Sequence, residues 1–562
     1  MTRYGITTHA HVMAALTKSI DSNPHNRSKS DDTTTMMPLA DDVPITRSNG
    51  KRIAMLAGAV LLLAGGVTAA VVLSKKSTST DSTSKAAIDA TSKPPSPDAA
   101  SSNSDTDSSS SASTTTQAPG PAPAPTPAWS DPDADSILMT MLAIGDWGST
   151  MGRKDDGTNP GSCCVVYKAG SNKGQIDTSM PRYKVDFRAQ ESVGKLLGLS
   201  AAQLNPVRVL GHGDNIYWNG VGADDVKHRM TETFEKMYSA PSLANVPWLN
   251  VAGNHDIGGS AYICGDSDTT FRKCTSTAEM LTFLDKKFTL QSTYISPNAN
   301  NCRLWYRWKM PDHYYVERVT KGGITVDIFN LDTNEASSHG AQQVCCQCYG
   351  YGGGDGHCEN ISPGDKLCAG GDTGMFKACM DKIQGWADES YKNALRDLAA
   401  STADFKIINT HYSPHYHMDA PRIKKWFDLT KTGGVHAWFN GHTHGFNHDI
   451  TDWFTHFFQN GAGGGIVSQS ASSVPADVTG VKTQWAAAGQ PYGFMELSFS
   501  KEWLKVQFVS FDKTWGFNGF KSGDISPGGI ARGHCWYIHK SLGSAGVKCK
   551  SSDDGVVGLP VG

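Results

Sequence analysis

Five short apolar runs in this chain each stop at a polar loop holding Asp, Asn or His, and that repetition narrows the folds open to it. The runs span 137–144, 207–210, 246–251, 404–410 and 435–440. Their length and aliphatic, aromatic character read as buried strands. Helical spacing follows the first of them, with Val185, Ala189, Val193 and Leu197 on one face. Asp224 and Asp225 are placed to cap a helix carrying Met230, Phe234 and Met237. Strand, polar loop, helix, strand is the order of an α/β architecture, in which ligands gather at the carboxyl ends of strands. Five strand-end loops can then converge on one rim. Apolar runs near 454–458, 494–499 and 504–511 predict a second sheet packed on the first.

The rest of the 562-residue chain divides by composition. Residues 1–52 are polar and read as a disordered cytosolic tail. Residues 53–74 carry no charge. As a helix they would extend about 33 Å, close to the ~30 Å hydrocarbon core of a bilayer. Residues 75–136 are rich in Ser, Thr and Pro and form a disordered stalk open to O-glycosylation. The catalytic domain is expected over 137–515, with a Cys- and Gly-rich insertion at 340–380 and a C-terminal extension at 516–562. A net charge of −3 argues against nucleic acid as a partner.

Charges flank the apolar run on both sides, Arg47, Lys51 and Arg52 before it and Lys75, Lys76, Lys85 and Lys93 after it. The positive-inside rule therefore does not orient it. All 13 cysteines lie C-terminal to it, from Cys163 onward, and read as a disulfide framework in an oxidising compartment. The competing reading is a metal cluster at Cys345, Cys346, Cys348 and Cys358. The expectation is a single-pass membrane protein with a luminal or extracellular catalytic domain. The alternative is a signal sequence cleaved near 67–69, giving a secreted protein. Asn360 opens an N-glycosylation sequon.

The five loops carry Asp146; Asp214 and Tyr217; Asn254 and His255; His411; and His442 and His444. Each alone is ordinary turn or surface chemistry. Five in succession at strand ends are not explained by turns. In this order GDWG, GDNIY, GNHD, INTH and GHTH resemble the signature of the purple acid phosphatases, within the calcineurin-like metallophosphoesterases. The segments FEKMYSAPSLANVPWLNVAGNHD, FNLDTN and NGAGGG are similar to the small tartrate-resistant branch.

The resemblance implies a sandwich of two mixed β-sheets flanked by helices (α/β/β/α) and a monomer acting on phosphate monoesters. It implies that Asp146, Tyr217 and His444 bind one metal, that Asn254, His411 and His442 bind a second, and that Asp214 bridges both. Many relatives have a His ligand where Gly148 stands, and Tyr217 can restore the missing donor. A phenolate is hard and anionic and favours Fe(III), whereas the second site suits Fe(II), Zn or Mn. The implied reaction is in-line attack on phosphorus by a metal-bound hydroxide. His255 would orient the phosphate or protonate the leaving alkoxide. Relatives carry a further catalytic His after the fourth motif, and His415 and His417 are the candidates here. His212 reads as a supporting residue. The insertions at 150–182 and 340–380 either border the site and set substrate choice or are surface decoration. Two other functions stay open: a phosphodiesterase or nucleotide pyrophosphatase on the same metals, and a non-enzymatic surface protein on a degenerate scaffold.

Overall fold

The computed structural model describes residues 130–149, 183–297, 307–337, 340–353, 357–358, 361–519 and 521–558. All belong to one compact unit, 121–562. The expected tail, apolar run, most of the stalk, the insertion at 150–182 and Asn360 lie outside the described residues. Among the described residues no helix is long and apolar enough to cross a membrane.

Two mixed sheets form the fold. The first has eight strands in the spatial order β17 (Val547–Lys548), β16 (Ile530–His539), β13 (Trp503–Phe511), β12 (Phe494–Phe499), β1 (Met139–Ile144), β2 (Val209–Gly211), β3 (Trp248–Asn250) and β4 (Trp308–Lys309). The second has seven: β11 (Val481–Ala486), β9 (Phe446–Thr451), β10 (His456–Asn460), β8 (Ala437–Asn440), β7 (Phe405–Asn409), β6 (Ile324–Leu331) and β5 (Tyr314–Lys321). A small ribbon pairs β14 (Gly516–Phe517) with β15 (Ile525–Ser526).

β1, β2 and β3 run parallel, as do β6, β7 and β8. Every residue of β1, β2, β3 and β8 is buried, as expected of parallel strands covered on both faces. Phe405 of β7 meets Phe499 of β12 at 5.4 Å between ring centroids, and Phe446 of β9 meets Phe508 of β13 at 4.6 Å. These pairs join the two inner faces. Helix α1 (Ala189–Leu204) lies on the first sheet against β16. Helix α3 (Thr373–Ala400) covers β5 and β6 and packs against α4 (Ala420–Gly433), while α2 (Thr277–Ser292) packs on α3. The buried face of α3 repeats at helical spacing through Cys379, Ile383, Trp386, Ala387, Ala394 and Leu398. Asp372 caps its start by accepting from Met375 N.

Two expectations change. The runs at 494–499 and 504–511 do not build the second sheet: β12 pairs antiparallel with β1, from Met139↔Phe499 to Ala143↔Met495, and extends the first sheet. Apolar periodicity marks a buried strand but does not say which sheet will accept its hydrogen bonds. Residues after 515 are also no appendage, because β16 pairs with β13 along nearly its full length.

The ten described cysteines form five disulfides: 264–274, 345–379, 346–368, 348–358 and 535–549. Cys345, Cys346, Cys348 and Cys358 are therefore tied up in bridges, and the metal-cluster reading of these four falls. The framework fits an oxidising, luminal or extracellular setting.

Candidate metal centre

The five polar loops come from both sheets. β1, β2 and β3 deliver Asp146, Asp214 and Asn254, and β7 and β8 deliver His411 and His442. Three of these residues turn sharply. Asp146, Asp214 and His442 have φ of 50°, 52° and 68°, the left-handed region that non-glycine residues rarely occupy. Such conformations cost of order 1 kcal/mol each and persist where the surroundings over-determine them. The surroundings here are tight. A Cβ on Gly253 would strike Asp214 Oδ1, and one on Gly441 would strike Asp146 Oδ2. Trp147, fully buried, anchors the first loop in an aromatic cluster, 5.4 Å from Trp248 and 5.5 Å from Tyr238.

The donor atoms converge. Asp146, Asp214 and His444 present ligand atoms within 4.8 Å of one another, and so do Asp214, His411 and His442. Asp214 is common to both groups. Tyr217 Oη lies 3.1 Å from Asp146 Oδ1, 2.9 Å from Asp214 Oδ2 and 3.4 Å from His444 Nε2. Asn254 Oδ1 lies 3.1 Å from His411 Nε2. All seven residues singled out in the sequence thus meet at one place. Gly148 also has a structural reason: a Cβ there would enter the backbone of Asn215, so no His fits, and Tyr217 reaches in from the next loop.

The donor set suits cations. His411 Nδ1 lies 2.7 Å from the carbonyl oxygen of His212, which can only accept, so Nδ1 carries the proton and Nε2 presents its lone pair. Asn254 Oδ1 already accepts from Tyr412 Oη at 3.0 Å. Two acceptors therefore face each other with no proton between them, an arrangement a cation would hold. Burial pushes the Asp146 carboxyl well above the usual carboxylate range, and neighbouring Asp214 adds to it. Burial likewise pushes the Tyr217 phenol up, reinforced by both carboxylates. Burial lowers His444 to about 4 and keeps it neutral. Among the described residues, His444 Nε2 lies 3.5 Å from Asp146 and His411 Nε2 lies 3.5 Å from Asp214, and no Lys or Arg pairs with either carboxylate.

A cavity of about 600 Å³ opens over the centre. His255 lines it, with Nδ1 2.6 Å from the Trp218 carbonyl oxygen, while its backbone N–H donates to Asp214 Oδ1 at 3.0 Å. His415 and His417 do not line it. They sit on a short helix, Pro414–His417, where residues two apart point to opposite sides. His415 turns into the core, its ring nitrogens on Ser413 Oγ (2.9 Å) and Asp449 Oδ2 (3.2 Å). That placement sets it among Ser413 and Asp449 rather than on the cavity wall. His417 turns toward the centre, edge-on to His442 at 4.8 Å, and its Nε2 meets Thr443 Oγ1 at 3.1 Å. It supports the GHTH loop.

Sequence reasoning passed over several residues. Asp256, the last of GNHD, accepts from the backbone N–H groups of Asn215 and Gly253 and from Asn215 Nδ2, locking two loops together. Its position within the motif was the available signal. Gln343 and Tyr349 bring the Cys-rich insertion to the cavity wall, alongside Trp218 and Gln469. No local pattern announces them.

A model of the calcineurin-like phosphoesterase family matches residues 139–446. Tartrate-resistant acid phosphatase type 5 from Sus scrofa is 26% identical over 202 residues, which cover 36% of this chain and 40% of the relative. The Rattus norvegicus enzyme of the same name is 31% identical over 202 residues, covering 36% of this chain and 42% of its own length. The match thus spans about two fifths of these relatives. Among solved structures, the purple acid phosphatase from yellow lupin (Lupinus luteus) seeds aligns over 70% of this chain and 54% of its own, with 13% identity and a TM-score of 0.34.

Proposed function

The chain belongs to the calcineurin-like phosphoesterase family, and from that membership we propose that it is a dinuclear-metal acid phosphatase hydrolysing phosphate monoesters. One observation carries the reading: Tyr217 Oη within hydrogen-bond distance of both Asp146 and Asp214, at the junction of two donor groups that share Asp214. Asp146, Tyr217 and His444 would hold one metal, Asn254, His411 and His442 the other, and Asp214 both. We assign Fe(III) to the phenolate site and Fe(II), Zn or Mn to its neighbour. When bound, the metals supply Lewis-acid activation of water and neutralise charge on the phosphoryl oxygens.

The chain's own residues do the rest. His411 is fixed as an Nε2 donor by its bond to His212. The strained turns at Asp146, Asp214 and His442 preorganise the carboxylates and the imidazole. His255 Nδ1 donates to Trp218, so it is the imidazolium form whose other nitrogen would give a proton to the leaving alkoxide or hold a phosphate oxygen. The apolar run 53–74 and the disulfides support a luminal or extracellular enzyme tethered by one membrane helix. Protection of residues 130–558 from protease in sealed microsomes tests that topology.

The activity is tested with the full-length protein on p-nitrophenyl phosphate and its bis-ester, with metal content and the visible spectrum measured together. The expected result is monoester preference, loss of turnover on chelation and a broad tyrosinate-to-iron absorption band. Preference for the diester would replace the monoesterase reading with a phosphodiesterase. No turnover of either by metal-loaded protein would refute the enzyme.

A further inference from the structure

The cavity wall beyond the metal centre is aromatic, amide and hydroxyl in character. Trp218 and Tyr349 line it, with 38% and 43% of their surface still exposed, and Ser260, Gln343 and Gln469 lie among them. Among the described residues no Lys or Arg lines it. Among the described lining residues, a substrate bearing further phosphates would find no Lys or Arg, whereas a flat uncharged group would find two rings.

The backbone that carries each ring is held in place. The three consecutive carbonyls around Trp218 each accept from a cationic or imidazole donor. Arg229 Nη2 donates to Tyr217 O at 2.6 Å, His255 Nδ1 to Trp218 O at 2.6 Å, and Lys287 Nζ to Asn219 O. Arg229 and Lys287 are themselves buried, and Arg229 is paired with Asp268. Burying two basic side chains at one turn carries a large desolvation cost: Asp268 offsets it for Arg229, and burial lowers Lys287 to about 7. Tyr349 is held from the other side. Its N–H donates to Ser260 O at 3.1 Å, Ser260 Oγ donates to Gln343 Oε1 at 3.0 Å, and the 345–379, 346–368 and 348–358 disulfides pin the segment that carries it.

We propose that Trp218 and Tyr349 form a leaving-group subsite that takes a flat, uncharged aromatic alcohol of the phosphate ester, with Gln343 and Gln469 available to its polar edge. This rests on the phosphatase reading. The Cys-rich insertion then acts as a specificity element.

The test uses full-length protein and two esters whose alcohols differ little in acidity, benzyl phosphate and propyl phosphate. The expected kcat/KM favours benzyl by about tenfold, roughly what contact with two rings is worth. Tyr349→Leu and Trp218→Leu should each lower that ratio about threefold, mainly through KM, and Tyr349→Phe should keep it. Comparing one pair of substrates across variants cancels their intrinsic reactivity. Equal turnover of the two esters by the wild type, or an unchanged ratio in both Leu variants, overturns the subsite and leaves the phosphatase standing. If neither ester is hydrolysed, the phosphatase reading fails. Calorimetric binding of benzylphosphonate against propylphosphonate then decides the subsite, and equal affinities overturn it.

Discussion

Asn409, at the end of β7, ties the two sheets together beneath the metal centre. Its Nδ2 donates to Leu249 O (2.9 Å) and Gly211 O (3.3 Å) on the first sheet and to Asn330 Oδ1 (2.8 Å) on the second. Its Oδ1 accepts from His212 Nδ1 at 2.6 Å. Gly211 O also accepts from Val251 N, so that bond matters least. Asn409→Ala removes all four and leaves His212 Nδ1 and Asn330 Oδ1 buried without this partner. At about 1 kcal/mol for the Leu249 bond and ~1–3 kcal/mol for each of the two orphaned groups, the loss is about 5 kcal/mol, within roughly 3–7. Asn409→Asp keeps the volume but turns an oxygen toward the carbonyls, and should lose at least as much. That comparison separates hydrogen bonding from cavity formation. The assay is urea unfolding of the intact, non-reduced protein at fixed metal concentration, because bound metal adds its own stabilisation. A loss below about 1 kcal/mol in both variants would refute the account, since it would leave these bonds contributing no more than a surface contact.

Asp214→Asn should cost at least about 100-fold more phosphate release than His417→Ala, because it weakens both donor groups while His417 only supports a loop; similar losses would remove Asp214 from the bridging position. Gly148→Ala should cost at least about 2 kcal/mol of unfolding free energy in urea, as its methyl must displace the Asn215 backbone; a neutral effect would mean the loop yields freely. Burial lowers His436 to about 4 and His456 to about 3. Between those values and the unfolded value of about 6.5 the native state binds fewer protons than the unfolded chain, so stability is present above that window and is lost as pH falls through it. Unfolding midpoints from pH 7 to 4 at constant salt check this, and a flat profile contradicts it.

Much of the centre was legible because its chemistry is local. A strand that ends in Gly-Asp, Asn-His or Gly-His-x-His announces itself within a few residues, and the order of five such ends limits the topology. Asp146, Asp214, Tyr217, Asn254, His411, His442 and His444 could be named from these signals, and the structure brings them together. The disulfide framework was legible from composition, although its pairing was not.

Tertiary structure alone decided what depends on distant partners. Whether β12 and β13 extend the first sheet or build the second turns on which edge accepts their hydrogen bonds, and apolar spacing is the same in both cases. His415 and His417 look equivalent in sequence, yet one turn of helix sends the first to Asp449 and the second toward His442. Asn409 reads as one more polar residue at a strand end until Leu249, 160 residues earlier, closes on it. Trp218 and Tyr349 are 131 positions apart, and only the disulfides and the clamped carbonyls bring both to one cavity. Residue types and short spacings encode which chemistry is available; the packing of segments far apart in the chain decides where each side chain points.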